Sequence, residues 1–192
     1  MADPMIHPNL LNPANSVLVV VDLQARLSAA MPVEEAQLVS ANSCRLLTAA
    51  GMLGIPVLVT EQYPRGLGPT SAEILAQLPA ASPVYAKTGF SCCAVDEFNQ
   101  TLESSRRSQV LLIGQEAHVC VLQTALALLQ RGYQVYVVED AVCSRQFAHK
   151  TNALQRIQQH GATIINHESV LFEWLGDAGH ADFKAISALL RK

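Results

Sequence analysis

Two patterns of apolar residues alternate along the chain. Continuous apolar runs, such as SVLVVV at 16–21 and VLLI at 110–113, are typical of parallel strands buried on both faces. In other stretches the apolar residues recur at every third or fourth position, which is typical of a helix buried on one face. The runs predict strands at 16–21, 55–60, 84–86, 110–113, 135–138 and 162–166. The periodic stretches predict helices at 34–50, 71–78, 95–103, 148–160, 168–174 and 181–190, and another between Val119 and Gly132.

Strands that alternate with helices predict an α/β fold, in which helices cover both faces of a parallel sheet to give three layers. We expect six strands in the order 3-2-1-4-5-6. This order makes the first and fourth strands neighbours where the winding of the sheet reverses, and ligands bind beyond the carboxyl ends of the strands at this point. The 192 residues suit one domain, 1–192. Residues 1–15 contain three prolines and no periodicity, so we expect an extended N-terminal arm there.

The composition limits the partners and the compartment of the protein. The net charge of −3 provides no basic field for nucleic acid, and no apolar run approaches the roughly 18 residues that a membrane span needs. No signal peptide is expected, and the five cysteines are odd in number, so we expect reduced thiols in a cytoplasmic protein. Two features predict a homo-oligomer. One is the low charged fraction, 15%, and the other is the set of apolar residues in the C-terminal helices: Phe172, Trp174, Leu189 and Leu190.

The common sequence signatures of cofactors and metals are missing from the chain. It contains neither a helix-opening GxGxxG after a strand nor a P-loop. The six histidines are scattered, and the vicinal Cys92 and Cys93 lack a second pair at zinc spacing. We therefore expect neither a cofactor nor a metal, and a small-molecule substrate.

Three chemically capable residues follow predicted strands. Asp22 follows the first strand, Lys87 the third and Cys120 the fourth. Cys120 falls in the first turn of a predicted helix, where the helix dipole lowers the pKa of a thiol and backbone N–H groups can hold an oxyanion. The alternative for each is structural: a buried packing thiol, a carboxylate that caps a loop, or a solvated lysine at a strand end.

The motifs around these residues resemble the isochorismatase-like cysteine hydrolase superfamily from about residue 16 to residue 170. The matching stretches are LVVVDLQ, TEQYP, YAKTGFS and IGQEAHVCVLQTALALLQRGYQVYVVEDAVCSR. The resemblance implies a catalytic triad of Asp22, Lys87 and Cys120. It also implies a cis peptide before Glu116, which would aim the N–H groups of Glu116 and Cys120 as an oxyanion hole. Gln62, in TEQYP, is a candidate substrate-binding residue, and the turn-rich RGLGPT segment after it predicts a mobile loop over the site.

The resemblance and the residues together favour a hydrolase of a small amide-like substrate. Asp22 would take the proton of Cys120, Lys87 would favour the thiolate, and a thioester would form. The nicotinamidases of the superfamily carry an Asp-x-His pair and a further histidine that bind a metal, and nothing after Asp22 matches that set. Two alternatives remain: a vinyl-ether hydrolase that acts on isochorismate, and a non-catalytic oligomeric binding protein whose thiol senses oxidants.

Overall fold

The computed structural model describes residues 7–191 of the chain, and within them six parallel strands form one sheet. The order is β3-β2-β1-β4-β5-β6, as predicted from the sequence. The strands are β1 (Ser16–Val21), β2 (Val57–Gln62), β3 (Val84–Lys87), β4 (Gln109–Gln115), β5 (Gln134–Cys143) and β6 (Thr163–Ile165). All residues of β1 and β4 are buried, which explains why both strands are continuous apolar runs.

The helices cover the sheet on both faces and divide the core into two clusters. They are α1 (Ala25–Ser28), α2 (Val33–Met52), α3 (Pro64–Leu67), α4 (Ala72–Leu75), α5 (Asp96–Ser104), α6 (Leu122–Gln130), α7 (Phe147–Gln159), α8 (His167–Leu175) and α9 (Phe183–Leu189). One cluster packs α2, α8 and α9 against the sheet, and the other packs α5, α6 and α7. The three-layer α/β/α prediction is therefore confirmed.

Several strands extend beyond the predicted carboxyl ends. Strand β2 continues to Gln62 and β4 to Gln115, and β5 continues to Cys143 after a shift in its register with β4. These extensions contain polar residues, so the apolar runs end before the strands do. Pairing with a neighbouring strand holds each extension: Gln62 pairs with Lys87, and Gln115 pairs with Cys143.

Gly114 permits β1 and β4 to approach each other at the edge of the sheet that carries the candidate site. Its φ is +119°, and a Cβ atom placed on it would lie 1.9 Å from the carbonyl oxygen of Val21. No other residue type fits both the conformation and the space. The glycine therefore fixes the spacing between the strand ends that carry Asp22 and the segment leading to Cys120.

The N-terminal segment differs from the extended arm that the sequence predicted. Residues 7–15 contain turns, and Leu11 is buried with its N–H donated to Glu173 Oε2 at 2.9 Å. The rest of the predicted arm lies outside the described residues. At the other end of the chain Trp174 is buried, and its indole N–H donates to Ser16 Oγ at 3.0 Å. Of the apolar residues that suggested an oligomer, Phe172 is exposed, and Leu189 and Leu190 pack partly against the core.

Candidate active site

The topology brings the three predicted site residues to one edge of the sheet. Asp22 directly follows β1, Lys87 ends β3, and Cys120 lies a few residues after β4. Strands β1 and β4 are neighbours at the centre, and β3 lies two strands from β1 with β2 between them. All strands are parallel, so their carboxyl ends share this edge.

Asp22 and Lys87 form a buried ion pair. Lys87 Nζ lies 2.7 Å from Asp22 Oδ2, and both side chains are withdrawn from solvent. The ammonium also donates to Gln62 Oε1 at 2.7 Å and to the carbonyl oxygen of Phe90 at 3.0 Å. A buried ion pair is stable only when its remaining hydrogen-bonding capacity is met, and these acceptors meet that of the lysine. Lys87 is therefore not the solvated strand end of the structural alternative.

Asp22 adopts a left-handed conformation, with a φ of +53°, which turns the chain sharply at the end of β1. Aspartate is among the few non-glycine residues that tolerate this region. The N–H of Gln24 donates to the carbonyl oxygen of Asp22 at 2.8 Å, and the amide of Gln115 donates to the same oxygen at 3.2 Å. The backbone of Asp22 is thus held by one main-chain donor and one side-chain donor, which fixes the turn from which the carboxylate projects.

Gln62 contacts Lys87 instead of facing open space. Its Oε1 accepts from Lys87 Nζ, and its Nε2 donates to the carbonyl oxygen of Thr88 at 2.8 Å. Its backbone N–H donates to Gln24 Oε1 at 2.7 Å. The predicted substrate-binding side chain is therefore placed as a support for Lys87.

The segment after Gln62 carries more structure than the sequence indicated. It contains the single helical turn α3, and Thr70 forms an antiparallel bridge with Gln24. The side chain of Gln24 donates to the carbonyl oxygens of Gln62 and Gly68, and Glu61 Oε1 accepts both the N–H and the hydroxyl of Thr70. The segment is attached to the site at both of its ends.

Cys120 lies in a turn of π-helix, Ala117–Val121, that precedes α6. The pKa of its thiol is raised to about 12, first by burial and then by the charge of Asp22, while Lys87 lowers it. This corrects the expectation that a helix N-terminus would favour the thiolate, because desolvation disfavours the charged form of any acid. The side chain is 5% exposed, so at neutral pH Cys120 is a thiol beside a carboxylate.

The turn that contains Cys120, residues 115–121, is held by contacts with the residues that follow β5, and we call it the Cys120 turn. The peptide bond between Gln115 and Glu116 is cis, as the resemblance implies. Glu116 Oε2 accepts the backbone N–H and the Nε of Arg145, both at 3.0 Å, and His118 Nδ1 lies 3.0 Å from Ser144 Oγ. The carbonyl oxygen of Glu116 accepts the N–H groups of residues 119 and 121, on either side of Cys120.

Sequence reasoning missed Thr60, which is fully buried in β2, two residues before the strand ends. Its hydroxyl donates to Asp22 Oδ1 at 2.9 Å, so the two carboxylate oxygens have different partners, Thr60 and Lys87. A polar residue at the end of an apolar strand run was the available signal, the same one that singled out Asp22.

No group of three or more His, Cys, Asp or Glu side chains in residues 7–191 is arranged to hold a metal ion. Nor is any helix in this range long and apolar enough to cross a membrane. A cavity of about 820 Å³ lies between residues 10–13 and α8, and its lining does not include the three site residues. The three candidate site residues therefore lie at the strand ends and outside that cavity.

Comparison with known proteins adds the family to this geometry. A family model described as the isochorismatase domain matches residues 16–169, which include all three site residues. The chain belongs to the isochorismatase domain family. Isochorismatase domain-containing protein 2 of Bos taurus is 41% identical over 180 residues, covering 94% of this chain and 85% of that protein. The secreted isochorismatase effector Isc1 of Phytophthora sojae is 41% identical over 188 residues, covering 95% of this chain and 87% of the effector.

Solved structures of isochorismatase-fold proteins match the chain along nearly all its length. The MAR1 ribonuclease of Caenorhabditis elegans superposes with a TM-score of 0.90 at 38% identity, covering 95% of this chain and 92% of that one. The YcaC gene product of Escherichia coli, described as an octameric hydrolase of unknown specificity, has a TM-score of 0.86 at 23% identity, covering 98% and 91%. The second match shows the fold alone. The chain thus has the fold of isochorismatase-family hydrolases.

Proposed function

We propose that this protein hydrolyses a small amide-like substrate through a thioester on Cys120. The observation that supports the proposal is the position of Asp22, which is ion-paired with Lys87 and also acts on the thiol of Cys120. A thiol whose pKa is about 12 needs a base to become a nucleophile at neutral pH. Asp22 is the base that the site supplies.

In the first half of the reaction, the Asp22 carboxylate takes the S–H proton as the sulfur attacks the carbonyl carbon of the amide. The backbone N–H groups of Glu116 and Cys120 stabilise the tetrahedral oxyanion, a role worth about 3 kcal/mol for each donor. The C–N bond then breaks, and the leaving nitrogen takes the proton from Asp22. Lys87 balances the charge of Asp22 before and after each transfer.

In the second half, water attacks the thioester carbonyl carbon and gives its proton to Asp22. The C–S bond breaks, the carboxylic acid leaves, and the sulfur recovers its proton from Asp22. A cavity of about 330 Å³ that Lys87 helps to line suits a small acyl group. Neither half of the reaction needs a metal or a cofactor.

Alkylation of Cys120 by iodoacetamide tests the role of Asp22 without a substrate. The charge of Asp22 raises the pKa of the thiol, so electrostatics alone would make Cys120 react faster in Asp22→Asn. The base role predicts the opposite, a slower reaction in the variant, because the proton acceptor has been removed. Peptide mapping at neutral pH measures the rate at Cys120, with the half-buried Cys93 as the internal control.

Turnover is tested with purified protein on a panel of small amides, ureides and isochorismate. We expect Cys120→Ala and Asp22→Asn to lose activity on the amide that proves active, and mass spectrometry to detect a thioester in the wild type. Exhaustive chelation should leave the turnover unchanged. Loss on chelation with recovery by added zinc or manganese would contradict the metal-independent route.

A vinyl-ether hydrolase is the second candidate, and the protonated state of Cys120 at neutral pH favours it. Hydrolysis of isochorismate needs a proton delivered to carbon and water added to the resulting cation, and no acyl carbon is attacked. Asp22 could supply that proton whatever small residue occupied position 120. Near-normal turnover of isochorismate by Cys120→Ala, with Asp22→Asn inactive, would establish this reaction instead of amide cleavage.

RNA belongs on the substrate panel because one similar structure is described as a ribonuclease. The net charge of −3 argues against it, since RNA binding draws most of its affinity from cationic contacts with phosphates. Cleavage of a single-stranded RNA probe that requires Cys120 or Asp22 would replace the amide proposal.

We further propose that the protein is a cytoplasmic homo-oligomer. Exposed aromatic side chains, such as Phe90, Phe147 and Phe172, and the low charged fraction support association. The five cysteines are unpaired, which supports a reducing compartment, although one relative is a secreted effector. Light scattering tests the assembly, and a mass of 20.7 kDa at micromolar concentration would show a monomer.

A further inference from the structure

The charge of Asp22 acts on two thiols. Cys92 lies in the short 3-10 helix Cys92–Ala94 and is fully buried. Its pKa is raised to about 11 by burial and then by Asp22, the same two leading causes that raise the pKa of Cys120 to about 12. Both thiols keep their protons at neutral pH, so acidity does not decide which of them the carboxylate deprotonates.

The side chain of Thr60 connects Asp22 with Cys92. Its Oγ1 donates to Asp22 Oδ1 at 2.9 Å and lies 3.4 Å from Cys92 Sγ. A threonine hydroxyl has one proton, and this proton is given to the carboxylate. The hydroxyl oxygen must therefore accept the S–H of Cys92, which fixes the order of donation as Cys92 to Thr60 to Asp22.

The neighbouring contacts hold this chain of donors in place. The backbone N–H of Cys92 donates to Thr124 Oγ1 at 2.9 Å, one helical turn beyond the nucleophile. Thr60 and Thr124 are both fully buried, so bulk water does not compete for the hydrogen bonds of either hydroxyl. The backbone of Cys92 is thus held by α6, the helix that directly follows the turn carrying Cys120.

We propose that Thr60, whose hydroxyl accepts from Cys92, is a positioning residue that fixes the orientation of the Asp22 carboxylate beside Cys120. Lys87 holds Oδ2 and Thr60 holds Oδ1, so the carboxylate cannot rotate without losing one of the two contacts. The hydroxyl also satisfies Cys92, which leaves Cys120 as the thiol that the base activates. This inference rests on the proposed function.

The effect of Thr60 on the orientation of Asp22 follows from the groups that face the carboxylate. They are Lys87 from β3, Cys92 from the 3-10 helix and Cys120 from the Cys120 turn, together with the Thr60 hydroxyl from β2. Lys87 and Thr60 each donate a hydrogen bond to one carboxylate oxygen. Removing the hydroxyl while keeping the shape of the side chain leaves the contact with Lys87 alone, so the carboxylate should lose its fixed orientation.

Infrared spectroscopy of the purified protein tests the proposal without a substrate. Thr60→Val removes the hydroxyl and keeps the shape, and Thr60→Ser is the matched control that keeps the hydroxyl. The S–H stretching band of Cys92 is assigned by its loss in Cys92→Ala, and the two carboxylate stretching bands of Asp22 by their loss in Asp22→Asn. We expect Thr60→Val to move the S–H band to higher wavenumber, because Cys92 has lost its acceptor.

The carboxylate bands of Asp22 give the second readout. The spacing between the antisymmetric and symmetric stretching bands should change in Thr60→Val, because the hydrogen bond to Oδ1 is lost while the one to Oδ2 remains. Thr60→Ser should leave the S–H band and this spacing unchanged. Where Thr60→Val does not fold, Thr60→Ala carries the same two expectations.

The proposal is overturned if Thr60→Val leaves either the S–H band or the spacing of the carboxylate bands at its wild-type value. A Thr60→Ser variant that shifts as far as Thr60→Val would also overturn it, because the hydroxyl would then not be the cause. Neither readout depends on turnover. Expected shifts in a protein that hydrolyses nothing would refute the proposed function and leave the role of Thr60 intact.

Discussion

Replacing Lys87 by methionine should destabilise the protein strongly, because it leaves a charge buried without its partner. Methionine keeps the unbranched stem but removes the ammonium that lies 2.7 Å from Asp22 Oδ2. Breaking a buried pair in this way costs about 3–5 kcal/mol, whereas an exposed pair contributes about 0–1 kcal/mol. The acceptors Gln62 Oε1 and the Phe90 carbonyl also lose their donor, so we expect the upper part of the range.

The double variant Asp22→Asn/Lys87→Met separates the lost charge balance from the lost hydrogen bonds. It buries no charge, so it should recover most of the loss and remain about 1–3 kcal/mol below the wild type for the acceptors left unpaired. Urea unfolding at equilibrium measures all the variants, with Lys184→Met on the exposed surface as a control that should change stability by less than about 0.5 kcal/mol.

A loss below about 1 kcal/mol in Lys87→Met would refute the reasoning, since the pair would then behave as a solvated one. The same conclusion would follow if the double variant were less stable than Lys87→Met. Either result would remove the charge balance on which the role of Asp22 as a base depends.

Three further predictions concern the packing and protonation of the fold. Gly114→Ala should cost at least about 4 kcal/mol of unfolding free energy or prevent folding. Gly54→Ala is the control and should cost much less, because its φ is also positive but its added Cβ would contact nothing within 4 Å. Comparable urea midpoints for the two variants would contradict the close approach of β1 and β4. The unfolding free energy should fall as pH rises above 9.0 toward 12, because the folded protein keeps the Cys120 proton that the unfolded chain loses. In Cys120→Ala the dependence of the unfolding free energy on pH should be weaker by about 1.4 kcal/mol per pH unit. An unchanged pH dependence would contradict the raised pKa of Cys120. Asn166→Ala should cost about 1 kcal/mol in urea unfolding, since the Asn166 side chain accepts the N–H of Ser169 at the start of α8, and Asn166→Asp should retain most of the stability.

The periodicity of apolar residues was sufficient to predict the fold. A strand buried on both faces must be apolar throughout, and a helix on the sheet must be apolar along one side, so β1, β4 and the major helices are visible in the local sequence. Parallel topology then places every strand end at one edge, which is why Asp22, Lys87 and Cys120 were predicted to meet although 65 residues separate Asp22 from Lys87. The polar extensions of β2, β4 and β5 were missed because interstrand pairing, and not apolar character, forms them.

The protonation of the site was decided only by the tertiary structure. The dipole of a local helix, which the sequence does indicate, predicts an acidic thiol at Cys120. Burial by the surrounding elements outweighs the effect of that dipole and raises the pKa of Cys120, and the charge of Asp22 raises it further. Hydrogen-bond partners depend in the same way on distant segments, so the sequence could suggest that Gln62 contacts a substrate but could not show that Lys87 already occupies its side chain. Local patterns specify which residues are buried and where strands end, whereas desolvation and pairing depend on every segment that the fold brings together.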